Sequence, residues 1–206
     1  MDLKPKNRIL ESAIKLFAEK GFDATSVDEI AKNAEINKAM IYYYFSSKEE
    51  LLSSIIRKSI NEFTSIIEEI NLSNFKDLEE IIHFFVEEGI NYIDKNDMLI
   101  RIYQRESLNI SSRWGTNIID TVGLVFEKVE TMIRKMRKES INFDITLVEQ
   151  ILVTNLIIGY LSLKDKLGGK IDEEAGEIIK KRYIDRVSRI IYLLITDEGG
   201  KNEKIF

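Results

Sequence analysis

Apolar residues recur along this chain at intervals of three and four, the period of a helix that buries one face, from the first ten residues almost to the last. No run alternates convincingly between apolar and polar, and no Asn-Gly or Asp-Gly pair joins two such runs, so strands and hairpins are not expected. The pattern predicts an all-α fold of about nine helices, and the punctuation places them. Pro5 opens the first, where a missing amide leaves nothing unsatisfied, and Ile9, Leu10, Ala13, Ile14, Leu16 and Phe17 run down to Gly21, a left-handed end. Ser26-Val27-Asp28-Glu29 is a capping box for a short second helix reaching about Ala34. Asn37 caps a third, over Lys38 to Phe45, and Ser47-Lys48-Glu49-Glu50 is a second box for a long fourth helix through about Ile70. Later helices are expected near 74–94, 97–109, 115–139, 144–166 and 173–196, with breaks at 71–74, 94–97, 111–112, 142–144 and 168–169.

Two short helices joined by a tight turn can lay the second in a DNA major groove while the first braces it. Ile30, Ala31 and Ala34, Ile36 in the turn, and Ile41 and Phe45 are the small and branched residues that let two such helices cross closely. With Ile41 and Phe45 turned inward, the outer face of the third helix is Lys38, Ala39, Tyr42 and Tyr43, with Met40 and Tyr44 at its margins. Lysine suits a phosphate or a guanine edge, Ala and Met suit a thymine methyl, and tyrosine hydroxyls reach phosphates.

The segment from about Arg8 to Leu52 resembles the N-terminal domain of the tetracycline-repressor-like (TetR) family of bacterial transcription regulators. The resemblance rests on several motifs in register: Leu16-Phe17 with Gly21-Phe22, Thr25-Ser26-Val27, Ile30-Ala31, Ile41-Tyr42 followed by Phe45, and Lys48 with Leu51. It covers about a fifth of the chain. It implies that Lys38, Ala39, Met40, Tyr42, Tyr43 and Tyr44 face an operator, that Tyr42 and Lys48 match phosphate-contacting positions, and that Ser26 matches a backbone-contacting helix start. Independently, Lys48 lies in the first turn of the fourth helix, where free amides favour an anion. Glu35 departs from the pattern, because the family usually has Gly in that turn. A left-handed Glu there costs about 1 kcal/mol relative to Gly. Asp28, at another DNA-proximal position, subtracts further charge.

Composition sharpens this picture. The chain has 206 residues and a net charge of -5, which excludes a non-specific coat for nucleic acid. Residues 1–58 hold ten Lys/Arg against nine Asp/Glu, a balance of +1, which leaves -6 for the remainder. Affinity for DNA must therefore come from placed contacts and two-fold avidity. Two domains are expected: 1–47 for DNA binding, and 48–206 for effector binding and dimerisation, the latter implied by the resemblance. In the last two helices, residues 147–163 carry 11 apolar side chains in 17, and 178–195 is read as apolar nearly all round, which needs cover on every side. A four-helix bundle between two subunits supplies that cover, built on Leu152, Asn155, Gly159, Ser162, Tyr183, Val187, Ile190, Ile191 and Leu194, with Asn155, Gly159 and Ser162 as a small stripe for close approach.

An effector pocket between the middle helices has Phe63, Phe85, Tyr92, Tyr103, Trp114 and Asn155 as its candidate lining, the only Trp being the foremost of them. The same aromatics at helical spacing also read as plain core. Arg101 and Arg105 read better as a solvated face paired with Glu106 than as an anion clamp. The implied partners are double-stranded operator DNA, a second copy of the chain and a partly apolar small molecule. A dimeric DNA-binding module with no small-molecule effector stands as the alternative.

Enzymatic readings fail on counting. Glu80 and His83 have di-iron spacing, but such a site needs two His and the chain has one. The same shortage removes a Ser-His-Asp hydrolase, and the absence of Cys removes thiolate metal sites, thiol nucleophiles and disulfides. No cofactor is expected. The N-terminus lacks the apolar core of a signal peptide, and the longest uncharged stretch, Gln150 to Leu163, is too short to span a bilayer. A cytoplasmic protein without a membrane partner is expected.

Overall fold

The computed structural model describes residues 4–107, 123–131, 134 and 146–196, and every regular element among them is helical. In chain order these are α1 (Pro5–Lys20), α2 (Val27–Asn33), α3 (Lys38–Tyr44), α4 (Lys48–Glu68), a single 3-10 turn (Leu72–Asn74), α5 (Leu78–Lys95), α6 (Asp97–Ser107), α7 (123–131), α8 (Leu147–Leu167) and α9 (Glu173–Thr196). Pro5 occupies the first turn of α1, and Gly21 ends it at φ 90° with its N–H on the Phe17 carbonyl. The expected breaks at 111–112 and 142–144 lie outside the described residues.

Where helix starts differ from expectation, the caps explain the difference. α5 begins four residues late because Asn71 takes the Ser73 N–H into the 3-10 turn and Asp77 then accepts the Glu80 N–H at 2.9 Å. The Glu80 carboxylate returns to the Lys76 amide, one residue before the cap. At α4 the same offset appears: Ser47 Oγ accepts the Glu50 N–H, and Glu50 returns to Ser46, whose amide and hydroxyl hold its carboxyl below the usual range. At α8, Thr146 accepts the Val148 N–H.

The described residues form two compact units. The first takes the chain up to Ile66 and the segment 96–107, so that α6 joins α1, α2, α3 and most of α4. Its core is Ile9, Phe17, Ile30, Ile41, Phe45, Leu51, Leu52 and Ile102, all essentially inaccessible to solvent. α6 lies along α1, and Tyr103 shares a buried hydrogen bond of 2.9 Å with Ser59 of α4.

The second unit takes 67–95, 123–131 and 146–196, with α5 packed on both α8 and α9. Ile81, Ile82, Val86, Ile90 and Ile93 of α5 meet Val153, Leu161, Ile184, Val187 and Ile191 in its core. At one end Asp94 is gripped by Lys164 at 2.8 Å and Lys180 at 2.5 Å, tying the three helices together. Burial pushes the Asp94 carboxyl up, but the two ammonium groups outweigh it and hold the group below its usual range. Tyr160 beside it is pushed up to about 12 by burial and by the Asp94 charge.

Candidate nucleic-acid interface

The first unit builds its exposed helix from the backbone outward. After Gly21, the Thr25 hydroxyl donates to the Gly21 and Leu16 carbonyls and closes the turn between α1 and α2. Ser26 then caps α2 with both halves of the capping box in place: its Oγ accepts the Glu29 N–H, and the Glu29 carboxylate accepts the Ser26 N–H. Lys20, then Ser26, hold the Glu29 carboxyl down from 4.5 to about 2. A depressed carboxyl contributes stability fully above its unfolded value, so this contribution persists to pH 4.5 and is lost as pH falls through about 2.

α2 ends in a Schellman closure. The Ile36 N–H bonds the Ala31 carbonyl at 3.0 Å and the Glu35 N–H the Lys32 carbonyl at 3.2 Å, which places Glu35 at φ 51°. The left-handed conformation expected at that position is present. The Glu35 carboxylate turns back to Arg8 at 3.1 Å. Asn37 accepts the Ala39 N–H and caps α3, which starts at the next residue, Lys38.

α3 is seated by Ile41 and Phe45, 1% and 2% exposed, against Ile30, Ala31 and Ala34. The opposite face is open: Tyr43 is 82% exposed and Tyr42 49%, with Lys38, Ala39 and Met40 also exposed and Tyr44 half-buried against Tyr43. The face read from the sequence is thus brought together on one short helix. Two of its members are engaged within the chain. The Lys38 ammonium sits 2.8 Å from Asp28 of α2. Lys48 donates to the Phe22 and Thr25 carbonyls at 2.8 and 2.9 Å and lies 4.2 Å over the Phe22 ring, pinning the start of α4 to the turn after α1. The Ser26 hydroxyl is occupied in its capping box and remains exposed.

Residues 9–55 match the family of bacterial regulatory proteins, tetR family. Over 136 residues the chain is 31% identical to the biofilm operon icaADBC HTH-type negative transcriptional regulator IcaR of Staphylococcus aureus (strain Newman), a match covering 66% of this chain and 70% of that regulator. The chain belongs to the tetR family of transcriptional regulators. It is also 34% identical over 108 residues, 52% of each chain, to the probable HTH-type transcriptional regulator YttP of Bacillus subtilis (strain 168). The solved structure of a tetR family transcription regulator from Shewanella sp. PV-4 is similar in fold, with a TM-score of 0.69 at 17% identity over 94% of this chain and 98% of that one. A tetR-family protein is a DNA-binding regulator rather than an enzyme. His83, half-buried on α5, shares a 3.0 Å hydrogen bond with Asp185 of α9.

The residues proposed from sequence for the rest of this tetR-family chain fall out unevenly. Of the pocket set, Phe63 and Tyr103 belong to the first unit, Phe85, Tyr92 and Asn155 to the second, and Trp114 lies outside the described residues. Tyr103 is buried with its hydroxyl on Ser59, and Asn155 is exposed with its amide on the Ile151 carbonyl. Of the interface set, Leu152, Asn155, Ser162, Ile190 and Leu194 are exposed. Val187 and Ile191 are 3% and 6% exposed and lie in the core of their own unit, so they offer little area to an interface. Gly159 also has a different reason for being small. The Tyr183 hydroxyl, bonded to the Leu156 carbonyl at 2.5 Å, passes 3.0 Å from where a Cβ on Gly159 would stand.

Sequence reasoning missed Glu106. Expected in a solvated pairing with the arginines, it is buried and accepts the Phe22 N–H at 3.3 Å, while Arg101 meets Asp97 at 3.9 Å and Arg105 lies against Gly21. α6 therefore closes the same turn that Lys48 closes from α4. No local pattern marks this, because the donor is 84 residues upstream.

Proposed function

We propose that this tetR-family regulator is a repressor that binds a palindromic operator as a homodimer, with α3 of each subunit in successive major grooves, and is released by a small-molecule effector. The observation that carries the reading is the open face of α3, where Lys38, Ala39, Met40, Tyr42 and Tyr43 stand clear of a closed core. Lys38 and Ala39 are the base-reading positions; Tyr42, Ser26 and the remaining proton of Lys48 are the phosphate-facing ones. Repression is supported by the relationship to IcaR, itself a negative regulator. The dimer face is the exposed stripe Val148, Ile151, Leu152 and Asn155 of α8, with Ile190, Leu193 and Leu194 of α9. α4 is the element common to both units, since its residues pass from one to the other at Ile66. An effector acting through it would change the spacing of the two α3 helices away from the roughly 34–36 Å of one DNA turn. Such a protein acts in the cytoplasm, beside the DNA it reads, and no described helix is long and apolar enough to cross a membrane.

The test is selection of duplex sites by the purified protein, followed by competition of the selected site with a compound library. The reading expects a two-fold symmetric site, and compounds that raise the melting temperature and release DNA together. An asymmetric or unselectable site would overturn the operator proposal. Compounds that bind tightly yet leave the DNA complex intact would overturn the effector proposal.

A further inference from the structure

We propose that Asp28 is a specificity-determining residue. By holding the Lys38 ammonium, it withholds the charge of the recognition helix from phosphates in general and releases it to a site that also satisfies the rest of α3. This rests on the reading of α3 as the operator-binding helix.

Three observations carry it. Lys38 is the only cation within α3, and the Asp28 carboxylate reaches it from the first turn of α2 at 2.8 Å. Neither side chain is buried, and Ser26 with Glu29 already forms the cap of α2, so Asp28 is not the residue that caps the helix. The arrangement is also repeated around it. Glu29 pairs with Lys20 at 2.5 Å and Glu35 with Arg8 at 3.1 Å, so the acids of α2 and its following turn each face one base. Three of the ten bases of residues 1–58 are thus held by the acids of α2 and its following turn. The Asp28 hydrogen bond raises the Lys38 ammonium above its usual range, so the lysine stays charged while it is held.

The consequence follows from how proteins hold DNA. Non-specific binding is almost entirely phosphate contact. A phosphate approaching Lys38 must displace Asp28 or accept a carboxylate a few ångströms away, and in a non-specific complex nothing else repays that repulsion. In the operator complex, base-edge contacts from α3 do.

The experiment measures binding of the full chain to its selected operator duplex and to a scrambled duplex of equal length, between about 50 and 200 mM salt. For Asp28→Asn, affinity for the scrambled duplex is expected to rise roughly 3- to 10-fold at low salt. The salt slope should steepen by about 0.9 for each phosphate gained. Operator affinity should rise less, so that discrimination falls. In a Lys38→Met background the same change should alter neither slope nor discrimination. Unchanged slope and discrimination in the single variant, or changes that persist without Lys38, would overturn the proposal. Melting curves of both variants matching the parent confirm that folding is not being read. Failure of the parent protein to prefer any duplex would instead overturn the operator reading itself.

Discussion

The α2–α3 pair and the α8–α9 pair are both helices crossed over apolar side chains, yet they end with opposite surfaces. In the first, Ile30, Ala31, Ile41 and Phe45 are closed off almost completely, and apart from Met40 what remains outside is polar, aromatic or small. In the second, Val153, Leu161, Ile184, Val187 and Ile191 are buried, but Val148, Ile151, Leu152, Ile190, Leu193 and Leu194 are not. The short pair is seven residues per helix and finishes its core with one stripe. The longer pair is apolar on more sides than a single chain covers. A finished surface presents chemistry to a ligand, whereas an unfinished one asks for more protein.

Truncation breaks the comparison most severely at its closed end. Phe45→Ala removes a ring 2% exposed, and about 3–5 kcal/mol of stability should go with it. Leu194→Ala, at a side chain 38% exposed, should cost well under half as much when measured on dilute protein. Urea titrations of the two variants check this, and equal losses would show that α9 is as fully covered as α3.

The second prediction separates the open face from the fold that carries it. Ile190→Glu with Leu194→Glu should leave the helical content unchanged and turn the dimer into monomer in light scattering. Operator affinity should then fall about 100-fold or more through lost avidity. Retention of the dimer would move the interface off α9.

Much of this contrast was legible in the chain, for reasons that differ by residue. Pro5, Gly21, Ser26, Asn37 and Ser47 act on backbone groups within four positions of themselves, so helix starts and stops at the DNA-reading end are local facts. Glu35 was legible only through the resemblance, since the family's usual Gly in that turn marks a left-handed residue, which the Schellman closure then requires. At the other end, a stripe of apolar residues states that burial is needed without saying by what. Val187 and Ile191 therefore look the same as Ile190 and Leu194 until α5 is seen to cover them. Glu106 and Lys48 were hidden for a third reason: their partners are the N–H and carbonyls of one turn, at residues 22 and 25, which carry no side-chain signature.

Lys48 supplies the third prediction. Its ammonium closes the turn after α1, so Lys48→Ala should lower stability by about 1–3 kcal/mol as well as weakening every DNA sequence alike. The two effects separate on salt. Lost carbonyl bonds shift the melting curve at any ionic strength, whereas a lost phosphate contact makes the salt slope of binding shallower by about 0.9 per contact. A stability loss with an unchanged slope would make Lys48 a fastener alone.

The smallest effect is expected at Glu35, where two opposed terms nearly meet. Replacing Glu by Gly at φ 51° relieves about 1 kcal/mol of left-handed strain. It also removes the pairing with Arg8, which involves a carboxylate 84% exposed and so contributes at most about 1 kcal/mol at low salt. Glu35→Gly should therefore raise the melting temperature by no more than a few degrees in dilute buffer. Salt decides between the terms: near 1 M the Debye length is about 3 Å, the Arg8 pair is screened, and only the strain remains. The gain from Glu35→Gly should accordingly grow with ionic strength. A gain that shrinks instead would mean that the backbone at 35 is relaxed, and that what Glu35 contributes to the turn is not its charge.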